Sequence, residues 1–278
     1  GTRFNFIVSY GRHPRFAKDL KVIQVDTDPT EIGHNRPVEL GIVADAKITI
    51  RAMIQEAKSV GVRGPDDWIS RLQETDGNRR EQSREMAESD SEPIHPLRIA
   101  NELVNYVDRD AIFSVDGMET LNYGRQWIPS YVEGARLNSG PNGCMGVGIP
   151  FAMGAKVAAP DRQVVAFVGD GSFLMNIQEF DTMVRHDLPI VSVISNNGGW
   201  TGGSNDTPGR ELGRAQRYHE AVEALGGHGE LVTKVHAIRP AIERAFASGK
   251  PACVNIHVEE HARATTVPFG GYSTKMSR

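Results

Sequence analysis

Two polar loops, each placed after an apolar run, hold residues whose types suit the binding of a metal ion and a phosphate. The sequence GDGS at 169–172 follows the run VVAFV, and NNGG at 196–199 follows the run IVSVIS. Such runs predict strands of a parallel sheet, and successive parallel strands end at the same edge. We therefore expect both loops at one edge. The Asp170 carboxylate and the Asn197 amide oxygen are hard ligands of the kind that octahedral Mg²⁺ prefers.

Glycines in both loops would bring the main chain close to a bound anion. Gly171 and Ser172 can donate backbone N–H groups to a phosphate as a helix, expected to begin near Asn176, gets under way. Taken alone, GDG is ordinary turn chemistry. The distance in sequence between this turn and the NNGG loop, about one helix and one strand, is therefore the feature that indicates a binding site.

The apolar pattern places these loops in the second of two α/β units. The predicted strands are residues 111–115, 164–168, 190–195 and 252–257. The predicted helices are residues 96–107, 146–158, 177–186, 218–225 and 239–248. This alternation indicates the α/β class, with a parallel sheet flanked by helices and ligands at the carboxyl ends of the strands.

The first 60 residues show the same alternation. The predicted strands are RFNFIVSY at 3–10, KVIQVD at 21–26 and GIVAD at 41–45, with a short segment around 15–20. Residues 46–59 are predicted to form an amphipathic helix. A second parallel sheet with helical crossovers is the expected result.

A charged segment separates the two units. Residues 61–95 are nearly free of aliphatic side chains after Leu72, which predicts a solvated helix and a linker. We therefore divide the chain into residues 1–60, 61–95 and 96–278.

The segment GDGSFLMNIQEF…LPIVSVISNN resembles, over its full length, the motif of the thiamine diphosphate enzymes. This resemblance implies a thiamine diphosphate-binding fold, preceded by part of a Rossmann-like central domain. It also implies thiamine diphosphate and Mg²⁺ as cofactors, and cleavage of a C–C bond beside a carbonyl with the cofactor as electron sink. The implied metal ligands are Asp170, Asn197 and the carbonyl of Gly199; the implied cofactor contacts here are Gly169, Gly171, Ser172 and Asn197.

Two further stretches resemble the same family. LNSGPNGCMGVGIPFAMGA at 137–155 resembles the segment whose glycine carbonyl accepts a hydrogen bond from the cofactor's amino group, here Gly143. The resemblance makes Met145 the apolar wedge between the two cofactor rings; simple helix packing is the alternative. VDGMET at 115–120 resembles the first phosphate loop, so Gly117 and Thr120 are expected contacts.

The first phosphate loop departs from the family pattern. The acyl-CoA branch usually has Gly-Ala-Asn-Thr there, whereas this chain has Met118 and Glu119 after the glycine. A carboxylate beside a diphosphate is repulsive unless it points away.

The N-terminal stretch favours one branch of the family. GTRFNFIVSYG, KVIQVDTDPTEIGHNRP and GIVADA resemble the end of the central domain in 2-hydroxyacyl-CoA lyases and oxalyl-CoA decarboxylases. That domain binds an adenine nucleotide in those enzymes, which implies an ADP or CoA nucleotide near Asp26 and Asp28. An ordinary strand-end turn is the alternative.

The residues after NNGG narrow the activity further. Trp200 and Thr201 stand where oxalyl-CoA decarboxylases typically have Ile-Tyr, and loss of that tyrosine favours a less polar acyl group. The implied activity is cleavage of a 2-hydroxyacyl-CoA to formyl-CoA and an aldehyde or ketone, reversibly. An oxalyl-CoA decarboxylase, an acetolactate synthase-type enzyme and a non-catalytic subunit are the alternatives.

A proton has to leave the substrate hydroxyl during cleavage, and a carboxylate or histidine within reach would accept it. Glu211 is our preferred candidate, although most Glu residues are simply exposed. Asp206 is the second acidic candidate, and His219 and His228 are weaker ones. The tail at 263–278 is either a lid over the CoA chain or a frayed end.

The resemblance leaves one catalytic group outside this sequence. The glutamate that protonates the cofactor's pyrimidine ring lies on a pyrimidine-binding domain, and no segment of residues 1–278 matches it. The start has neither an initiator Met nor a signal-peptide pattern. We expect a second copy or an N-terminal half to supply that domain in a homodimer or homotetramer, and this chain alone to be inactive.

Composition excludes several classes of partner. The net charge of −4 gives no sign of nucleic-acid binding. The apolar runs are far shorter than the about 20 residues needed to cross a bilayer. Cys144 and Cys253 are the only cysteines, which provides no disulfide framework and suits a cytoplasmic location. An acyl-CoA substrate is the expected partner.

Overall fold

The computed structural model describes residues 1–200, 209–213 and 215–264. Within these residues the chain forms two compact units, 1–75 and 76–264. No helix in the described ranges is both long and apolar enough to cross a membrane.

The first unit contains a two-stranded parallel sheet. Strand β1 (Ile23–Asp26) pairs with β2 (Leu40–Val43), and the helix α1 (Ala46–Ser59) follows. Asp45 caps α1, because its carboxylate accepts a hydrogen bond from the Ile48 N–H at 3.0 Å. The two predicted strands and the predicted helix of this region are thereby confirmed. The solvated helix is confirmed as α2 (Asp66–Ala87), within which the boundary between the two units falls.

The strand predicted at residues 3–10 is wrong. A 3₁₀ helix, Phe6–Gly11, occupies this position instead. Ser9 and Tyr10 both have a φ of 52°, in the left-handed region, which a strand cannot contain. In the described chain, β1 and β2 pair only with each other, so the apolar run has no neighbouring strand to join. A second 3₁₀ helix follows β1 at Pro29–Glu31.

The second unit alternates helices and strands in the predicted manner. Its helices are α3 (Pro96–Val104), α4 (Met118–Trp127), α5 (Gly148–Ala158), α6 (Asp170–Leu174), α7 (Glu179–Arg185), α8 (Tyr218–Ala224) and α9 (Ile238–Ala247). Its strands are β3 (Ile112–Asp116), β4 (Arg136–Leu137), β5 (Val164–Gly169), β6 (Val191–Asn196), β7 (His228–Val232) and β8 (Ala252–His257). Short 3₁₀ helices lie at Gly140–Asn142 and Val235–Ala237.

These six strands form one parallel sheet in the order β4-β3-β5-β6-β8-β7. Alternate residues of the central strands enter two different cores. Val165 and Phe167 of β5 pack in the core that contains α3, α4 and α9, whereas Val164 and Ala166 pack in the core that contains α5, α7 and α8. Burial on both faces explains why the strands read as continuous apolar runs.

Several elements of this unit were not predicted. The sequence analysis missed α4, β4, β7 and α6. The helix predicted at residues 177–186 is confirmed as α7 (Glu179–Arg185), but the short helix α6 precedes it and already begins at Asp170. Ser172 therefore lies inside the first turns of a helix and not in a loop before one.

Candidate functional site

A cleft lies at the carboxyl edge of the six-stranded sheet, where β3, β5 and β6 end. Because β5 and β6 are parallel neighbours, with Gly169 opposite Ser195, their loops meet at this edge as expected. The predicted site residues that line the cleft are Gly117, Thr120, Met145, Gly169, Asp170, Gly171, Ser172, Asn197 and Gly199. Gly143 and Glu211 are not part of its lining.

Asp170 has the most unusual environment of these residues. It is 3% exposed, and one carboxylate oxygen accepts the Gly171 N–H at 2.8 Å. The other oxygen, Oδ2, is buried without a hydrogen-bond partner among the described residues. Burial raises the pKa of Asp170 to about 6, although the backbone N–H groups of Gly171, Gly198 and Gly199 act in the opposite direction. A buried, unpaired anionic oxygen is costly, and a bound cation would satisfy it.

The two asparagines at the end of β6, Asn196 and Asn197, have different environments. Asn196 is fully buried; it donates to the Asn255 side chain at 3.0 Å and accepts the Gly198 N–H at 3.1 Å. Asn197 lines the cleft, and its side-chain oxygen lies 3.3 Å from the Gly199 N–H. The Gly199 N–H also lies close enough to the Asp170 carboxylate to lower its pKa. Asn197, Gly199 and Asp170 therefore belong to the same part of the cleft.

A buried carboxylate that the sequence analysis missed, Asp116, holds the first phosphate loop. One of its oxygens accepts the Gly117 N–H at 2.6 Å, and the other accepts the Gly148 N–H at 2.9 Å. Gly117 has a φ of +98°, and an added Cβ there would lie 3.2 Å from the Gly169 nitrogen. The loops after β3 and β5 are therefore in close contact. The signal was available, since Asp116 is a polar residue at the end of an apolar strand.

The part of the cleft expected to hold a phosphate also contains Gly171, Ser172 and Thr120. An added Cβ at Gly171 would lie 2.5 Å from the Trp200 ring, so the indole covers the backbone at this point. The Ser172 hydroxyl is buried and has no hydrogen-bond partner among the described residues. Thr120 is 4% exposed, and its hydroxyl lies 3.5 Å from the Cβ position of Gly169. The hydroxyl-bearing side chains of Ser172 and Thr120 thus both line this part of the cleft. The Gly171 N–H, which was predicted to donate to a phosphate, donates to the Asp170 carboxylate at 2.8 Å.

The segment before α5 contributes one side chain to the cleft. Met145 lines it and is 43% exposed, and its role as the wedge between the cofactor rings stays a prediction. Gly143 lies outside the lining, with a φ of +64° at the end of a 3₁₀ helix. The Asn176 side chain donates to the Gly146 carbonyl and ties this segment to the chain beyond α6.

The predicted proton-transfer residues are placed less centrally. Glu211 is exposed, and its backbone forms an isolated β-bridge with Gly199 in the loop after β6. His219 lies outside the cleft lining, and His228 contacts Glu230 at 2.9 Å on the edge strand β7. Asp206 and residues 265–278 of the tail lie outside the described residues. A catalytic role for Glu211 stays a prediction.

Two carboxylates and one phenol of the cleft wall were among the lining residues that sequence analysis did not identify as site residues. Glu119 and Tyr123 of α4 and Glu259 after β8 all line the cleft. The Glu119 carboxylate accepts the Ala264 N–H at 3.2 Å, so one of its oxygens is directed at the chain after β8. This direction satisfies the condition that the carboxylate should point away from a phosphate. The position of Glu119 in the first phosphate loop was a signal in the sequence. The sequence pattern gave no signal for Tyr123 or Glu259.

The strand-end loop of the first unit uses its carboxylates locally. Asp26 accepts the Asp28 N–H at 3.0 Å, and Asp28 accepts both the backbone N–H and the hydroxyl of Thr30 at 2.9 and 2.7 Å. These hydrogen bonds lower the pKa of both carboxyl groups. The arrangement is that of an Asx turn, and nucleotide binding at this loop stays a prediction.

At the ends of β5 and β6 the cleft therefore combines the Asp170 carboxylate with the side chain of Asn197 and a glycine-rich backbone at Gly169, Gly171 and Gly199. Among the residues that the structure describes, no group of three or more His, Cys, Asp or Glu side chains could hold a metal ion. The candidate site is of a different kind, because a Mg²⁺ ion bound with phosphates needs only one or two protein carboxylates. This fold and this site are typical of an α/β enzyme that binds a phosphate-bearing cofactor at the carboxyl edge of its parallel sheet.

Comparison with known proteins identifies the cofactor. The C-terminal TPP-binding domain of the thiamine pyrophosphate enzymes matches residues 120–256, and their central domain matches residues 1–53. The chain belongs to the thiamine diphosphate enzymes.

Its relatives carry different activities. The chain is 40% identical to a probable acetolactate synthase of Mycobacterium bovis over 252 residues, which cover 87% of this chain and 45% of that protein. It is 32% identical to a 2-hydroxyacyl-CoA lyase of Arabidopsis thaliana over 282 residues, covering 95% of this chain and 49% of the relative. The chain thus spans about half the length of the curated relatives it matches.

A solved structure confirms the fold. The thiamine diphosphate-dependent 4-hydroxybenzoylformate decarboxylase of Rhodococcus jostii RHA1 matches with a TM-score of 0.69. The match covers 88% of this chain and 45% of that chain, at 21% sequence identity. The predicted parallel sheet flanked by helices is therefore the fold of this enzyme family.

Proposed function

We propose that the complete protein carrying this chain cleaves a 2-hydroxyacyl-CoA into formyl-CoA and an aldehyde or ketone, with thiamine diphosphate and Mg²⁺. The reverse condensation uses the same chemistry. A second copy or an N-terminal half would supply the pyrimidine-binding domain and its glutamate, in a cytoplasmic homodimer or homotetramer. An ADP or CoA nucleotide at the central domain belongs to the same proposal.

Two buried oxygens of the cleft, Asp170 Oδ2 and the Ser172 hydroxyl, have no hydrogen-bond partner among the described residues, and they support the cofactor assignment. Asp170 Oδ2, the Asn197 side-chain oxygen and the Gly199 carbonyl would hold Mg²⁺, and Ser172 and Thr120 would contact the diphosphate. When bound, thiamine diphosphate supplies an electron sink for cleavage of a C–C bond beside a carbonyl. The chain's own residues bind and orient it, and Met145 would support the bent cofactor conformation.

One observation carries the choice of substrate. Among the described residues that line the cleft there is no Lys, Arg or His, whereas Glu119, Asp170 and Glu259 are acidic. None of the described lining residues would pair with a substrate carboxylate, as in pyruvate or an oxalyl group. Arg263 acts on the nearby Tyr123 but is exposed and outside the lining, and one Mg²⁺ would be occupied by the diphosphate. A 2-hydroxyacyl thioester is uncharged at its reacting end and avoids this cost.

An acetolactate synthase-type reaction is the second candidate. The 40% identity to the probable acetolactate synthase of Mycobacterium bovis favours it, although the lyase of Arabidopsis thaliana aligns with more of this chain. An oxalyl-CoA decarboxylase and a non-catalytic subunit are the remaining alternatives.

Proton transfer is the least defined part of the proposal. We keep Glu211 as the candidate that accepts the proton of the substrate hydroxyl, because its backbone pairs with that of Gly199, a proposed metal ligand. A Glu211→Gln variant should lower kcat and leave binding of the cofactor intact.

The complete protein should be incubated with a 2-hydroxyacyl-CoA, with oxalyl-CoA and with pyruvate. Release of both formyl-CoA and an aldehyde or ketone from the first substrate is the expected result. Turnover of pyruvate or oxalyl-CoA alone would contradict the proposed activity. An Asp170→Asn variant serves as the inactive control, and failure of the wild-type protein to bind thiamine diphosphate would favour the non-catalytic alternative.

A further inference from the structure

One wall of the cleft carries three oxygen-bearing side chains that neither the metal nor the diphosphate is expected to use. Glu119 and Tyr123 lie one turn apart on α4, and Glu259 follows β8. Pro96 and Val258 are close to them on the same wall and are both buried. The wall is therefore an apolar surface with one phenol and two carboxylates.

The Tyr123 hydroxyl is buried but has no partner. Tyr123 is 2% exposed, and its hydroxyl forms no hydrogen bond with any of the residues that the structure describes. The His95 ring meets the edge of the Tyr123 ring at a centroid distance of 5.8 Å, which fixes the ring and leaves the hydroxyl unsatisfied. An unpaired buried hydroxyl destabilises a fold, and Phe would avoid this cost. Because no described residue pairs with this hydroxyl, a molecule bound in the cleft would supply a partner.

The charges around this hydroxyl define what it can do. Burial and then the negative charge of Glu119 raise the pKa of Tyr123, Glu259 adds to the effect, and Arg263 opposes it. The hydroxyl therefore stays protonated at neutral pH and acts as a hydrogen-bond donor. Arg263 is exposed, and its guanidinium donates to the Ala262 carbonyl at 3.0 Å.

We propose that the Tyr123 hydroxyl, together with Glu119 and Glu259, is a specificity-determining contact for the reacting end of the substrate. Tyr123 donates a hydrogen bond to an oxygen of an uncharged hydroxyl or carbonyl group. The two carboxylates disfavour a substrate carboxylate at this end of the cleft. This inference rests on the proposed function, since it names the residues of the same cleft that select the acyl group.

The first test is a Tyr123→Phe variant of the complete holoenzyme. Loss of a buried donor to the substrate should lower kcat/KM for a 2-hydroxyacyl-CoA by about 10-fold or more. The affinity for thiamine diphosphate should not change, and Tm should stay the same or rise, because an unpaired hydroxyl has been removed. Tyr106→Phe is the matched control, since Tyr106 packs against Phe246 outside the cleft lining and its loss of a hydroxyl should not affect kinetics.

The second test measures charge selectivity with Glu119→Gln and Glu259→Gln. Each variant should increase the ratio of kcat/KM for pyruvate to kcat/KM for the 2-hydroxyacyl-CoA, and the double variant should increase it by about 10-fold or more. An unchanged ratio in the double variant would overturn the role of the two carboxylates.

The results separate this inference from the proposed function. If the wild-type enzyme releases formyl-CoA and Tyr123→Phe retains its kcat/KM, the inference alone is wrong. If the wild-type enzyme releases no formyl-CoA, the proposed function is wrong; efficient turnover of pyruvate would then also contradict the acidic selectivity. A large fall in Tm in Tyr123→Phe would show that the hydroxyl has a partner within the protein, which overturns the inference as well.

Discussion

Two strand-end loops of this protein begin from similar sequences and reach opposite results. In the first unit, Asp26 and Asp28 follow an apolar strand, and both carboxylates accept hydrogen bonds from their own loop. In the second unit, Asp170 also follows an apolar strand, but its Oδ2 is buried and has no hydrogen-bond partner in the part of the chain that the structure describes. An acidic residue after a strand is therefore not by itself a functional signal.

The electrostatics of the two loops differ in the same way. Hydrogen bonding lowers the pKa of Asp28, which stabilises its charged form within the turn. Burial raises the pKa of Asp170 to about 6, so its charged form is disfavoured until a cation binds. The first loop is complete without a ligand, whereas the second is not.

Substitution of each carboxylate gives the largest contrast between the loops. Asp170→Asn should lower the activity of the complete enzyme more than about 100-fold, because even residues that only support metal ligands contribute 10- to 100-fold. Asp28→Asn should leave Mg²⁺-dependent binding of thiamine diphosphate unchanged, because Asp28 lies in the first unit and outside the cleft lining. Steady-state kinetics and Mg²⁺-dependent binding of thiamine diphosphate measure both effects. Equal losses in the two variants would remove the distinction.

The pH dependence sharpens the comparison for Asp170. Metal binding needs the carboxylate, so cofactor affinity should fall about tenfold per pH unit below a pH of about 6. The stability of the metal-free protein should respond oppositely: a raised carboxyl pKa destabilises the fold above pH 6, and this loss is relieved as the pH falls toward the unfolded value of 3.8. The difference in stability between wild type and Asp170→Asn, followed from pH 7 to 4, isolates this group. A difference that does not vary with pH would contradict the raised pKa.

A glycine pair tests the close approach of the main chain to the ligand. Gly171→Ala places a methyl group against the Trp200 ring, which should lower the free energy of unfolding by about 1–3 kcal/mol and weaken cofactor binding. Gly154→Ala is the matched control, because its Cβ would meet no atom within 4 Å on α5. The control should stabilise the protein by about 0.5–1 kcal/mol. Equal behaviour of the two variants would show that the cleft has room above Gly171.

The smallest effect is expected in the first unit. Asp28→Ala removes the acceptor for the Thr30 N–H and hydroxyl, so thermal unfolding should occur roughly 2–4 °C earlier, without a change in kcat. Differential scanning calorimetry checks the shift. A fall in kcat or in nucleotide affinity would instead support a binding role for this loop.

The sequence was sufficient wherever one local pattern determined the structure. The runs VVAFV and IVSVIS predicted β5 and β6, because strands buried on both faces have little alternative. Residues 3–10 have a similar apolar composition, yet they form no strand, since pairing requires a neighbour and Ser9 and Tyr10 adopt positive φ. Pairing is a tertiary property that the local pattern does not contain.

The same limit applies to the site. Asp170 and Asn197 could be predicted because their spacing repeats a known motif and both follow buried strands. Tyr123 could not, because α4 was missed and only the folded chain brings Tyr123 and Glu259 to one wall. That the Tyr123 hydroxyl has no partner among the described residues is a property of tertiary packing, which the local sequence does not contain.

A crystal structure of the complete protein with thiamine diphosphate and Mn²⁺ in place of Mg²⁺ tests the central claim most directly. The account predicts an anomalous peak at about 2.0–2.3 Å from Asp170 Oδ2, the Asn197 side-chain oxygen and the Gly199 carbonyl, with the diphosphate in contact with Ser172 and Thr120. A metal ion bound elsewhere, with Asp170 Oδ2 still unpaired, would contradict it.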